Sequence, residues 1–185
     1  LAQQAPVSHA DIISCIPKSG ICAGEGFALE SGKPFISIYV VDDSIGKTFI
    51  HPSIKERERL AKAKLNLISD MVDGKVIVLV EDSIVRGNTI RDRIRELKSA
   101  GAKEVHVRVS FPPVTNPCYY GMDFPTKEEL IAHRLDIDST KEEIGADSLF
   151  YQTTESFNRV IIEHGDSPVN FCNACYTGKY PTALD

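Results

Sequence analysis

An apolar run at residues 76–80 (VIVLV), entered through Asp73-Gly74 and followed at once by Glu81 and Asp82, limits the possible folds more than any other feature of this chain. An unbroken run of β-branched and aliphatic residues has no polar face to turn to water. It therefore reads as a strand buried on both sides, the hallmark of a parallel sheet covered by helices. Next along the chain come SIVRGNT, residues 83–89, and a charged stretch over 88–100 that reads as a helix closed by Gly101. A strand, a short glycine-containing turn and a helix make a natural anion site, because the first amides of a helix have no intrahelical partner and carry the positive end of its dipole. Gly87 lets the backbone approach a ligand, and Asn88 and Thr89 can add side-chain hydrogen bonds to phosphate oxygens. Two carboxylates beside a bare phosphate would repel it. They make sense if they bind sugar hydroxyls or a magnesium ion, which prefers oxygen donors. Taken alone, the run also fits a plain acidic strand end followed by a capped helix.

The rest of the first 109 residues repeats the pattern. Strands are expected at 11–16 (DIISCI), 35–41 and 105–109, and helices at 24–31, closed by Gly32, and at 54–71, where Ile54, Leu60, Ala61, Leu65 and Ile68 follow a 3.6-residue stripe. Alternating strands and helices predict an α/β fold with a parallel sheet and ligands at the carboxyl ends of its strands. Residues 110–185 differ. Pro112, Pro113 and Pro117 break the pattern, short helices are expected at 127–133, 140–144 and 155–164, and the tail looks irregular. The charged helix over 91–98 reads as a solvated outer face.

Composition excludes some classes. A formal net charge of −5 builds no broad basic surface, so nucleic-acid binding is not expected. No apolar run approaches the roughly 18–20 residues that span a bilayer. Five cysteines, an odd number without an export signal, point to a reducing, cytoplasmic compartment and to free or metal-bound thiols. Cys172 and Cys175 form a CxxC, and Cys118 lies in a proline-rich segment upstream. Such thiols in irregular segments suit zinc or an iron–sulfur cluster, or a redox pair. Cys15 and Cys22 read as small buried hydrophobes. The five histidines show no pair at ligand spacing: His106 falls in a strand, and His9, His51, His133 and His164 read as surface or helix-end residues. A P-loop at Gly46, Lys47 and Thr48 is rejected, since no glycine-rich loop precedes it at the required spacing.

The run VEDSIVRGNT resembles the phosphoribosyl-pyrophosphate signature of type I phosphoribosyltransferases. The wider set IPKSG (16–20), GKTFI (46–50), GAKEVHVR (101–108), PPVTNPCYYGMD (112–123), IGADSL (144–149) and FCNACYTGKYP (171–181) resembles the transferase domain of the glutamine phosphoribosyl-pyrophosphate amidotransferase family over nearly the whole chain. The resemblance implies a type I phosphoribosyltransferase fold, with 1–109 as the core and 110–185 as an irregular cysteine-containing part. It implies transfer of ammonia to phosphoribosyl pyrophosphate, giving 5-phosphoribosylamine and pyrophosphate, the first step of de novo purine synthesis. In that family the ammonia comes from glutamine, cleaved by an N-terminal glutaminase domain. This chain opens on Leu1, inside the transferase region, and is expected to be a segment of a longer protein, with a stand-alone, ammonia-using transferase as the alternative.

Matched by position, Ser19, Glu81 and Asp82 are the implied magnesium and substrate neighbours, with Glu81 and Asp82 as the catalytic pair. Ser83, Ile84, Val85, Arg86, Gly87, Asn88 and Thr89 would wrap the 5-phosphate, with Lys47 as a further substrate contact. Cys118, Cys172 and Cys175 match three ligands of the [4Fe-4S] cluster found in some members, the fourth lying outside this chain. Purine nucleotides are implied as inhibitors and a homotetramer as the assembly. Two departures stand out. Where the family has a Lys-Asn-x-Tyr segment on a loop that closes over substrate, this chain has Val41, Asp42, Asp43 and Ser44, which inverts the local charge. Lys18 replaces a common acidic residue, and Glu81 replaces the commoner Asp. A non-catalytic module that senses phosphoribosyl pyrophosphate or a nucleotide is therefore the second reading.

Overall fold

The computed structural model describes residues 1–42, 44 and 65–183. In chain order these contain β1 (Ile12–Cys15), α1 (Ile21–Ser31), β2 (Tyr39–Val41), β3 (Leu65–Leu67), β4 (Val76–Glu81), α2 (Asn88–Ser99), β5 (Glu104–Val109), α3 (Ile131–Arg134), α4 (Ile137–Ile144), β6 (Ser148–Tyr151), α5 (Thr154–Glu163) and α6 (Ala174–Thr177). Single 3₁₀ turns lie at Ser69–Met71 and Pro168–Asn170.

The apolar run behaves as its composition requires. All six residues of β4 are buried, and the strand is paired in parallel with β1 on one edge and β5 on the other. β6 adds to β5, giving the all-parallel order β1-β4-β5-β6. Successive residues of β4 face opposite sides. Ile77 and Leu79 join Ile90, Ile94 and Leu97 of α2 and Ile144 of α4 in one core. Val76, Val78 and Val80 join Phe27 and Ala28 of α1 with Val7 and Ala10 in the other. The register Cys15↔Val80↔Arg108 brings the carboxyl ends of three strands level, so the loops that leave them are neighbours.

Several expectations need correction. The expected strand over 35–41 is β2 only from Tyr39, and it pairs antiparallel with β3 in a separate two-stranded sheet; Phe35 touches the main sheet through one bridge to Ile13. Of the helix expected over 54–71, residues 54–64 lie outside the described ones. Leu65–Leu67 is strand, because its alternating Leu-Asn-Leu completes the pair with β2. Helix α1 starts earlier than expected, at Ile21, and the helix expected over 127–133 is a single turn, Ile131–Arg134. The sheet strand β6 is absent from the sequence reading, since its four residues lie within the stretch read as short helices and irregular segments. The charged helix α2 is not wholly solvated: Ile90, Arg93, Ile94 and Leu97 form a buried stripe, and Arg93 lies over the Tyr39 ring at 5.7 Å. Cys15 is buried as expected, but Cys22 is exposed on the outer side of α1.

Leu97 is fully buried under the sheet, whereas the Arg95 side chain two residues earlier is 70% exposed. Leu97→Ala is expected to cost about 2–5 kcal/mol through lost burial and a cavity. Arg95→Ala should stay within about 0.5 kcal/mol. Denaturant unfolding of the two variants measures the difference, and equal effects would contradict the burial of α2.

Candidate functional site

Because β1 and β4 are parallel neighbours, the turn after β1 and the loop after β4 emerge side by side. The first turn carries Ser19 and a cis peptide between Pro17 and Lys18. It lies directly on the strand ends. A Cβ on Gly20 would sit 2.9 Å from the Val80 carbonyl oxygen and 3.2 Å from Cys15 Cβ, so only glycine permits this approach. The second loop reaches α2 through Gly87, whose φ of 82° belongs to the left-handed region and whose Cβ would meet Ile131 Cδ1 at 2.6 Å. No side chain caps α2. Its first intrahelical bond runs from Arg91 N–H to the Gly87 carbonyl, leaving earlier amides to face outward.

Between these loops lies a cavity of about 300 Å³ lined by Ile16, Glu81, Ser83, Ile84, Val85, Arg86, Gly87, Asn88, Thr89 and Ile90. Ser19 Oγ donates to Asp82 Oδ1 at 3.0 Å. The structure thus brings together Ser19, Glu81, Asp82 and all of 83–89; Lys47 lies outside the described residues. Not all of these contribute side chains to the cavity in the same way. Ile84 is buried in the main core and Val85 packs against the cluster of Val114, Phe124 and Leu130, so what both can offer a ligand there is backbone. The Arg86 guanidinium is directed to Glu129, with Nε at 2.7 Å, and to the Asp123 carbonyl at 2.9 Å, so it ties the loop to residues 123–129. Asn88 Oδ1 accepts from Arg91, which also pairs with Glu143. Ile16 and Ile90 are lining residues that the sequence reading did not single out; their only signal was their place, one at the end of the first strand and one in the first turn of the helix.

The two carboxyl groups are electrostatically unlike. Glu81 is 8% exposed and its Oε2 is buried without a hydrogen-bond partner. Burial, and secondarily the neighbouring Asp82 carboxylate, push its pKa up to about 10. Burial also acts on Asp82, but hydrogen bonds from Glu81, from the Ser19 hydroxyl and from the Ser83 backbone outweigh it and hold Asp82 below its ordinary value. At neutral pH the pair therefore holds one proton, on Glu81, and carries one negative charge, on Asp82.

Asp42 and Ser44, from the substituted segment, form a local turn in which Ser44 N–H donates to Asp42 Oδ1 at 2.9 Å; Asp43 lies outside the described residues. The thiol-bearing segments converge. Thr115 and Asn116 N–H both donate to the Cys175 carbonyl at 2.9 Å, and Tyr180 OH donates to the Pro117 carbonyl at 2.8 Å. Cys118 and Cys175 pack on the same apolar cluster. Backbone N–H groups of Tyr120, Met122 and Gly121 draw the Cys118 thiol below its usual range. Burial raises Cys175, and the nearby sulfurs of Cys172 and Cys118 raise it further.

A carboxyl group whose folded pKa lies above its unfolded pKa stabilises the fold fully below the unfolded pKa and loses that contribution as pH rises through the folded one. For Glu81 the window runs from 4.5 to about 10. Within it each pH unit costs at most about 1.4 kcal/mol. Glu81→Gln should therefore flatten the loss of stability between pH 5 and pH 9, read as thermal unfolding across that range. A slope identical to that of the parent would show that Glu81 is already ionised at neutral pH.

No family model matches the chain. It is 44% identical over 191 residues to the amidophosphoribosyltransferase of Drosophila melanogaster, covering 100% of this chain and 35% of that protein. The Bacillus subtilis amidophosphoribosyltransferase is 42% identical over 185 residues, with 100% and 39% covered, and a chloroplastic one from Glycine max is 41% identical, with 98% and 31% covered. Among solved structures, an allosteric regulatory enzyme of purine biosynthesis superimposes with a TM-score of 0.84 at 42% identity, over 100% of this chain and 40% of that one. The glutamine phosphoribosylpyrophosphate amidotransferase of B. subtilis complexed with ADP and GMP matches equally well, over 98% and 40%. The chain spans about a third of the length of the relatives it matches, from 31% to 39%. By sequence and by fold it is, over its whole length, an amidophosphoribosyltransferase homologue, corresponding to the segment of such a protein that carries a parallel-sheet transferase fold.

Proposed function

We propose that this chain is the transferase part of an amidophosphoribosyltransferase, joining ammonia to C1 of phosphoribosyl pyrophosphate and releasing pyrophosphate. The observation that carries this reading is the cavity at the start of α2 with the Ser19–Asp82 pair at its edge. An N–C1 bond forms as the C1–O bond to pyrophosphate breaks. The electron pair leaves with pyrophosphate, and the ammonium now on C1 passes one proton to the departing pyrophosphate or to water. No covalent nucleophile on the protein is needed. The 5-phosphate is placed against the uncapped first turn of α2 and the loop backbone, with Ser83 and Thr89 as hydroxyl donors. Asp82, ionised and oriented by Ser19, accepts from the ribose hydroxyls. Neutral Glu81 beneath it keeps the site at one negative charge, which a polyanionic substrate tolerates better than two. The gain comes from position and electrostatics.

The residues fit magnesium: Asp82 offers an ionised oxygen between the cavity-lining Glu81 and Ser83, and neutral Glu81 would add only the lone pair of Oε2, which has no other partner. When bound, magnesium supplies positive charge to the departing pyrophosphate. The thiols fit a [4Fe-4S] cluster held by Cys118, Cys172 and Cys175 and one ligand beyond this chain, because backbone amides already face the Cys118 sulfur and the other two sulfurs are near. Glutamine-derived ammonia would come from a glutaminase part outside this chain. Purine nucleotides such as those in the B. subtilis complex would inhibit by placing their phosphate in the same cavity.

The chain, mixed with phosphoribosyl pyrophosphate, magnesium and high ammonia, should release pyrophosphate. Asp82→Asn should lower that rate on the order of 100-fold. Tight substrate binding with no release would favour the sensing module, and release insensitive to Asp82→Asn would refute the assigned site.

A further inference from the structure

At the amino ends of the strands, on the inner strand β5, His9, Glu104 and His106 stand with one ligand atom each within 4.8 Å of the others. His9 belongs to the segment before β1, and Glu104 and His106 to the start of β5. Glu104 pairs with Val76, His106 with Val78 and Val109 with Glu81, so along the strand Glu104 lies five residues, about 16 Å, and His106 three residues, about 10 Å, from the level of Glu81. Nε2 of His9 and Nε2 of His106 each lie 2.9 Å from the same oxygen, Oε2 of Glu104.

We propose that His9, Glu104 and His106 form a divalent-cation site of the zinc type, with an open position for water. Two imidazole nitrogens and one carboxylate oxygen are a common zinc donor set. With bonds of roughly 2.0–2.1 Å, tetrahedral donors lie about 3.3–3.4 Å apart, so each His–Glu104 distance of 2.9 Å would open by about 0.4 Å, with all three ligand atoms already within 4.8 Å of one another. The atoms behind the ligands support this. His106 Nδ1 lies 2.8 Å from Ser148 Oγ, which also accepts from Arg108 at 3.0 Å. Without an ion, Nε2 donates to the Glu104 carboxylate and Nδ1 accepts from the Ser148 hydroxyl; an ion would take the place of the Nε2 proton, and Ser148 Oγ, with two lone pairs, would then accept from both Nδ1 and Arg108. The Arg108 guanidinium beyond Ser148 adds positive charge. That weakens a hard ion such as magnesium, held mainly by electrostatics, more than an ion bound through imidazole. His9 and His106 rings meet edge to face at 5.4 Å, and His9 is the exposed member, so the open position faces solvent. The ion would staple the N-terminal segment to the sheet.

Zinc added to the full chain should shift the imidazole NMR signals of His9 and His106, saturate at one equivalent for this pair and raise Tm. Cobalt at this site should give visible absorption without a thiolate charge-transfer band, which separates it from binding at the cysteines. The exposed His9 tolerates replacement, and His9→Asn or Glu104→Gln should weaken the imidazole-reported binding at least about tenfold, as should Ser148→Ala through the lost tether. Pyrophosphate release should be unchanged by His9→Asn. Imidazole signals that zinc leaves unmoved, zinc taken only by thiols, or affinity unchanged in His9→Asn would each overturn the site and show a plain hydrogen-bonded cluster.

Discussion

The pairing of β4 on both edges is the constraint on which the rest of this structure depends. A strand buried on both faces and bonded to β1 and β5 cannot slip by one residue without sending Val78 and Leu79 to the wrong cores. The amino end is pinned as well, since Asp11 Oδ2 accepts from Val76 N–H at 2.8 Å and Asp147 Oδ2 accepts from Val105 N–H at 2.7 Å. Fixed register fixes the point at which the chain leaves the sheet. Glu81 is the last residue still inside and Asp82 the first outside, and this one-residue step gives two adjacent carboxyl groups opposite protonation.

That division answers an objection raised by the sequence. Two acidic residues at a phosphate site look self-defeating if both are charged. In the fold, burial keeps the proton on Glu81 and the Ser19 hydroxyl keeps it off Asp82. A single anchored carboxylate suits the sugar hydroxyls of the proposed substrate, and the unbonded amides at the start of α2 suit its phosphate. Gly20 and Gly87 are the steric conditions for this, one letting the Ser19 turn rest on the strand ends and the other bringing α2 against Ile131.

How far the residues disclosed this depends on the range of the interaction. The buried strand, the loop and the start of α2 were legible because their signals are local: an apolar run, a glycine, a polar turn. The strand β6 was not, because four residues carry too short a period to stand out. Leu65–Leu67 was misread as helix because its apolar spacing fits both periods, and only the pairing with Tyr39–Val41 decides between them. His9 and His106 were seen as unrelated since they stand far apart in the chain, and nothing local shows that the N-terminal segment crosses the start of β5. The proton on Glu81 was also hidden, since sequence shows two carboxylates but not which of them the sheet encloses.

The irregular part is bound to the site by more than proximity. Ile131 N–H donates to the Val85 carbonyl at 2.9 Å, and Arg86 reaches Glu129 and Asp123. Val85 shares its apolar cluster with Val114, Phe124, Leu130, Cys118 and Cys175. The loop after β4 thus has two supports: the sheet holds its start at Glu81, and the thiol-bearing segments hold its middle at Val85 and Arg86. A chain with few regular elements after β6 needs some such fastening. The same small cluster thus packs both the Cys118 and Cys175 side chains and Val85 of the loop, so the thiol-bearing segments and the loop share one apolar support.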